Sequence, residues 1–211
     1  LTVGPTGGDP AGSLSSIGID FASWTASAGL TADNGAVFWM SPDSGPSGTV
    51  VIAQVSIATG SSAAVTLGAQ GRSTSGDDWK NDGLSFTLSG SGGGGTPSPP
   101  PPSGDNCDLS VAAVSSAGGF DTYQLSVTLK NGASNIYTIF GDATTTLSLP
   151  AAYQEATPFG ANVGGVAAAF IAAAPTAGMD SCSLSARPAE TRPALCPPSA
   201  STLPPGPDRK S

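Results

Sequence analysis

The chain is predicted to fold as an all-β sandwich, immunoglobulin- or cohesin-like in general architecture, and two observations carry that reading. Its composition is rich in turn formers and poor in charge: 29 glycines, 19 prolines and only 10% charged residues, against about 25% in an average domain. Its apolar residues fall in short runs that alternate at period two and are separated by turn clusters, the pattern of half-buried strands. With 38% hydrophobic residues the chain can still build a core.

Taken in order, residues 14–21 (LSSIGIDF) place Ile17, Ile19 and Phe21 on one face. Asn34-Gly35 is a hairpin signal leading into AVFWM. Residues 49–57 (TVVIAQVSI) form the strongest strand of this half, with Val51, Ala53, Val55 and Ile57 on one face, and residues 63–69 are its expected hairpin partner. GDDWKNDG at 76–83 reads as a polar loop, and LSFTL at 84–88 closes the segment. In the second half, residues 108–114 open as a strand. Residues 121–130 then alternate Tyr123, Leu125, Val127 and Leu129, and Asn131-Gly132 should turn them into a hairpin with NIYTIF at 135–140. Residues 147–149 form a short strand before Pro150, and residues 166–174 fit either a short helix or a strand. From residue 182 onward the sequence is proline-rich without alternation, so disorder is expected over 182–211.

Between the halves, residues 89–105 (SGSGGGGTPSPPPPSGD) contain no aliphatic or aromatic side chain. They must run through solvent as a disordered linker: flexible at the glycines, polyproline II at the prolines. The segments on either side, 1–88 and 106–181, resemble the two halves of one repeat unit in reversed order. NCDL at 106–109, YTIFGD at 137–142, LPAAYQ at 149–154, PFGANVGGV at 158–166 and DS at 180–181 lead naturally into LTVG at 1–4. They continue through GDPAG at 8–12, LSSIGIDFASW at 14–24, NGAVFWM at 34–40 and QGRSTSGDDW at 70–79. In that order the chain resembles the tandem all-β repeats of large secreted proteins of algae and other protists. The resemblance covers most of the chain up to Ser181 and implies a secreted repeat protein, with no activity attached. Its pattern expects a tryptophan after Ser181, where Cys182 stands instead. Half a repeat would leave one sheet face wet, so residues 106–181 are expected to dock on 1–88 as one permuted domain.

Charge excludes some partners. Up to Ser181 there are thirteen acidic residues and only Arg72, Lys80 and Lys130 to balance them, within a net charge of −8 for the chain. Such a body repels phosphate backbones, so nucleic acid is not an expected partner. No apolar run approaches a membrane span. The chain opens at Leu1 in strand-like sequence, which suggests a fragment or processed product. Cys107, Cys182 and Cys196 are odd in number and have no metal-ligand spacing; a disulfide is compatible with them, but its pairing is open.

Candidate chemistry is sparse. Pro99, Pro100, Pro101 and Pro102 follow Ser98 in an SPPPP motif that resembles hydroxyproline-rich glycoproteins of plants and green algae. The resemblance implies hydroxylation and glycosylation; an unmodified spacer is the alternative. The proline rod between globular segments is also similar to pherophorin wall proteins, whose cysteine-rich domains this chain lacks. Asp77, Asp78, Asn81 and Asp82 gather oxygens that calcium would use, although Lys80 and Ser89 fall where an EF-hand needs ligands, and a solvated acidic turn is the plainer reading. Trp24, Trp39 and Trp79 invite carbohydrate stacking, with Trp79 the best candidate for exposure and core packing the alternative. In AVFWM, one of Phe38 and Trp39 should face outward.

No histidine, GxSxG or phosphate loop occurs, so no catalytic residue is assigned and an enzyme is not expected. No N-x-S/T sequon is present. The expectation is a non-catalytic extracellular structural or adhesive module of a matrix, cell-wall or surface protein. Its partners would be neighbouring repeats or polysaccharide. A carbohydrate-binding module using Trp79 and Trp39 is the alternative. No cofactor is expected beyond the calcium alternative.

Overall fold

Strand order in both sheets is set by pieces of chain drawn from either side of the linker. The computed structural model describes residues 14–89, 104–156, 158–166 and 168–188. Their strands are β1 (Leu14–Ile17), β2 (Leu30–Ala32), β3 (Gly35–Trp39), β4 (Thr49–Ala58), β5 (Ser62–Arg72), β6 (Asp78–Ser89), β7 (Cys107–Ala117), β8 (Phe120–Leu129), β9 (Thr138–Gly141), β10 (Leu147–Leu149) and β11 (Cys182–Pro188); α1 (Ala168–Ala173) is the one α-helix among the described residues. Sheet I has the order β1-β3-β9-β5-β10-β2, with β6 also paired to β5, and sheet II has the order β11-β4-β8-β7. All pairings are antiparallel.

The two segments interleave. β9, from after the linker, is wedged between β3 and β5, while β4, from before it, lies between β11 and β8. Removing either segment would break both sheets. The inward faces meet in one core in which Val37, Val55, Val65, Leu67, Phe86, Leu88, Leu125 and Val127 are all 0% exposed. Complete burial of such side chains contributes about 1.5–3 kcal/mol each. Trp24, from the first segment, closes one end: its ring is buried and Nε1 donates to the carbonyl of Pro150 at 2.7 Å.

Three expected hairpins do not form, for a common reason. Asn131 and Gly132 do adopt the positive φ of a tight turn (51° and 83°). However, β8 is already flanked by β4 and β7, so the chain crosses to sheet I and becomes β9. Likewise β3 pairs with β1 and β9 rather than with β2 across Asn34-Gly35, and β4 and β5 lie in different sheets. The two-residue turn that does make a sheet II hairpin is Gly118-Gly119, with φ of 58° and 84°, joining β7 to β8. That is the left-handed geometry a right-twisted hairpin favours.

Bulges explain further differences. In β4 a register shift between Val51 and Ala53 changes the parity, so Val50 and Ile52 are buried while Val51 is half-exposed. GDDWKNDG is not a loop, because Asp78 begins β6. A bulge opposite Gly68 lets the inward set switch from Trp79 and Asn81 to Leu84, Phe86 and Leu88. The ambiguous stretch at 166–174 contains α1. The boundary expected after Ser181 lies later, since β11 continues through Pro188 and covers the free edge of β4. Residues 189–211 and the linker interior lie outside the described residues, as do residues 1–13.

A small lobe over residues 150–181 covers one end of the outer face of sheet II. Its own cluster joins Ala161, Val166, Ile171 and Ala177 with Phe159. Beneath it, the buried polar side chains of β4 are satisfied. Gln54 Nε2 donates to the carbonyls of Gly178 and Asp180, Ser56 Oγ donates to the carbonyl of Met179, and the backbone N–H of Ser56 donates to Ser181 Oγ. The outer face of sheet I has no such cover among the described residues.

Interleaving has a direct consequence for a nicked chain. Gly104 packs against Asn81 and Leu84, so the connection from Ser89 returns about 20 Å along β6, well within the roughly 45 Å reach of residues 90–103. Cleavage within residues 92–103 by a non-specific protease should leave two fragments that co-elute on native gel filtration and separate only in denaturant. Fragments that separate without denaturant would contradict the interleaved fold.

Candidate binding face

Residues directly opposed across antiparallel strands share a face. The register therefore lays Phe38, Thr138, Gln70 and Lys80 in one row across β3, β9, β5 and β6 on the outside of sheet I. The neighbouring row is Ala36, Phe140 and Gly68. Gly68 is required here: a Cβ on it would lie 2.3 Å from the Phe140 ring, which packs against bare backbone. Lys80 Nζ lies over the same ring, 4.8 Å from its centroid. A third row pairs Arg72 with Asp78 at the β5–β6 end.

The two cations of this face are held by carboxylates. Arg72 Nε donates to Asp43 at 2.9 Å and Nη1 to Asp78 at 2.7 Å, and the guanidinium lies 5.7 Å from the centroid of the Tyr137 ring. Gln70 Nε2 donates to the Tyr137 hydroxyl at 2.6 Å. Lys80 bridges Asp82 at 2.9 Å and Asp142 at 3.0 Å. Exposed pairs of this kind contribute little stability. Their effect is orientation: the guanidinium fork and the amide are fixed before any ligand arrives. Hydrogen bonds from the Thr144 hydroxyl and Lys80, with backbone N–H groups, hold the Asp142 carboxyl well below the usual range. Hydrogen bonds to carboxylates raise Arg72 and Lys80.

Beside Arg72 the surface opens into a cleft of about 370 Å³ lined by Asp43, Arg72, Ser73, Gly76, Ser134 and Asn135. Asn135 builds its floor. Its Oδ1 accepts from the backbone N–H of Arg72, its Nδ2 donates to the carbonyl of Pro42, and its own carbonyl accepts from Trp79 Nε1 at 2.9 Å. Gly71 permits that approach, since a Cβ there would lie 1.9 Å from the Asn135 carbonyl oxygen.

This geometry corrects the tryptophan assignment. Trp79 is 5% exposed and supports the cleft from beneath. Trp39 is half-buried and packs against the core, and Trp24 is buried. On β3, Phe38 beside Trp39 takes the outward position, as parity requires. The calcium set does not converge either. Asp78 and Asp82 are committed to Arg72 and Lys80, Asn81 is buried on the opposite face of β6, and Asp77 accepts from Ser75 Oγ. No group of three or more acidic, cysteine or histidine residues fit to hold a metal occurs among the described residues. Pro99, Pro100, Pro101 and Pro102 lie outside the described residues. Cys107 and Cys182 are separate buried thiols, and burial pushes Cys182 up to about 12.

Sequence reasoning missed Gln70, Arg72, Tyr137 and Asn135. A usable signal was present: Arg72 and Lys80 are two of the three cations in an acidic body, and both sit among aspartates around one turn.

One carboxylate pair comes together elsewhere. Asp180 accepts from the backbone N–H groups of Glu155 and Ala161, while Glu155 accepts from the Tyr153 hydroxyl. Asp180 is 2% exposed, and burial raises its pKa to about 7. Both oxygens are occupied by backbone, so this carboxylate pins the 155–161 loop to the lobe and is sealed from substrate.

No family model matches the chain, and no curated protein or solved structure is significantly similar to it.

Two tests probe these placements. Substituting Gly71→Ala should destabilise the fold by about 1–3 kcal/mol through overpacking against backbone, read as a lower urea midpoint; an unchanged midpoint would contradict the close approach. For Asp180, the folded form binds its proton more tightly than the unfolded chain. Stability should therefore fall as pH rises from about 4 to about 7, and this slope should flatten in Asp180→Asn. A slope that persists in the variant would assign it to another group.

Proposed function

We propose that this chain is a non-catalytic, extracellular structural or adhesive module of a matrix, cell-wall or surface protein, with neighbouring repeats or polysaccharide as its partners. The observation that supports this reading best is the way the domain is joined. Strands from both sides of a Gly/Pro-rich linker are laddered into both sheets, so the two segments are held as one cohesive unit by the pairing of β9 with β3 and β5 and of β4 with β8 and β11. No described helix is long and apolar enough to cross a membrane.

A second reading, carbohydrate binding, is favoured by the outer face of sheet I in place of Trp79 and Trp39. The first reading is tested by location. An antibody raised against the folded chain should label the wall or matrix fraction of the source cells, or their medium. Signal confined to the cell interior would contradict it.

A further inference from the structure

We infer that the outer face of sheet I, from Phe38 across Gln70 and Tyr137 to the cleft beside Arg72, is a binding site for a neutral saccharide chain. The inference deepens the adhesive reading by naming its ligand class, and it rests on that reading only in taking the module as a binder.

Three observations converge. First, the face combines ring surface with planar hydrogen-bonding groups. Phe38 and Tyr137 are half-buried aromatic side chains, and the Gln70 amide and Arg72 guanidinium lie between or beside them. A pyranose offers the complement, an apolar face of C–H groups and an equatorial rim of hydroxyls. Second, the charges are already matched within the face. Arg72 is shared by Asp43 and Asp78, and Lys80 by Asp82 and Asp142. An anionic ligand finds no uncommitted cation here, and a cation would have to displace Arg72 or Lys80. A neutral polyol can use the remaining carboxylate lone pairs and the outward N–H groups without breaking a pair. Third, the row Phe38–Thr138–Gln70–Lys80 crosses four adjacent strands, spaced about 4.8 Å apart. That spacing is comparable to one sugar ring, so a chain lying across the strands would meet one side chain per residue, with the Arg72 cleft flanking the row two residues further along β5. Because the groups are fixed in advance by ion pairs and by Asn135, little ordering cost opposes binding.

The site is composite. Phe38, Gln70 and Arg72 come from before the linker and Tyr137 and Asn135 from after it, so it exists only when the two segments are interleaved.

The test is retention of the full chain on insoluble cellulose, chitin, β-1,3-glucan and mannan, with alginate as the acidic arm. Tyr137→Ala and the surface variant Gln70→Ala are compared with Phe170→Ala, an exposed aromatic on the lobe (45% exposed). Folding of each variant is checked by its melting temperature. The expected result is retention on at least one neutral polymer that persists at high salt. Binding should be about tenfold weaker in Gln70→Ala and Tyr137→Ala and unchanged in Phe170→Ala. Retention on no neutral polymer, or on alginate alone with loss in salt, overturns the inference. Retention on a neutral polymer that neither site variant weakens also overturns this site, while leaving the adhesive reading in place.

Discussion

The wedging of β9 between β3 and β5 is the constraint on which the rest of this structure depends. Ile139 supplies core from that position, and Phe140 and Thr138 supply the outer face, so one four-residue strand from the second segment completes both sides of a sheet built mainly by the first. The reciprocal placement of β4 between β8 and β11 gives sheet II the same dependence. Neither segment holds a closed sandwich by itself. The linker is thus a boundary in sequence and lies within a single folding unit in space.

The candidate site inherits this constraint. Gly68 and Gly71 on β5 are two positions where the second segment approaches bare backbone, one under the Phe140 ring and one under the Asn135 carbonyl. Each contact fixes a neighbour that shapes the outer face. Phe140 seats Lys80, and Asn135 holds the backbone of Arg72. Trp79 belongs to the same arrangement from inside, since its indole N–H satisfies the carbonyl that Gly71 admits. The glycines that make the sequence look turn-rich are, at these two positions, strand residues on which the site is built.

What the sequence made legible was the strand content and the faces within strands. The alternation of Tyr123, Leu125 and Val127, the burial of Val55 and Ile57 and the outward turn of Phe38 against Trp39 all follow from period two. Pairing partners were not legible. Asn131-Gly132 specifies a turn locally, but which edge the chain then meets depends on whether β8 is already paired on both sides. The bulges in β4 and β5–β6 were hidden for the same reason, since a parity change is visible only against a partner strand. Trp79 was misplaced because GDDWKNDG is polar in composition. Its order nevertheless alternates, with Asp78, Lys80 and Asp82 outward and Trp79 and Asn81 inward.

The most direct measurement of the central claim is to produce residues 1–89 and 104–211 as separate polypeptides and record amide NMR spectra of each alone and of their mixture. Interleaving predicts collapsed, poorly dispersed spectra for the separate segments. On mixing, the wide dispersion of a β-sandwich should appear, with a single melting transition. Well-dispersed spectra for either segment alone, unchanged on mixing, would contradict a domain assembled across the linker.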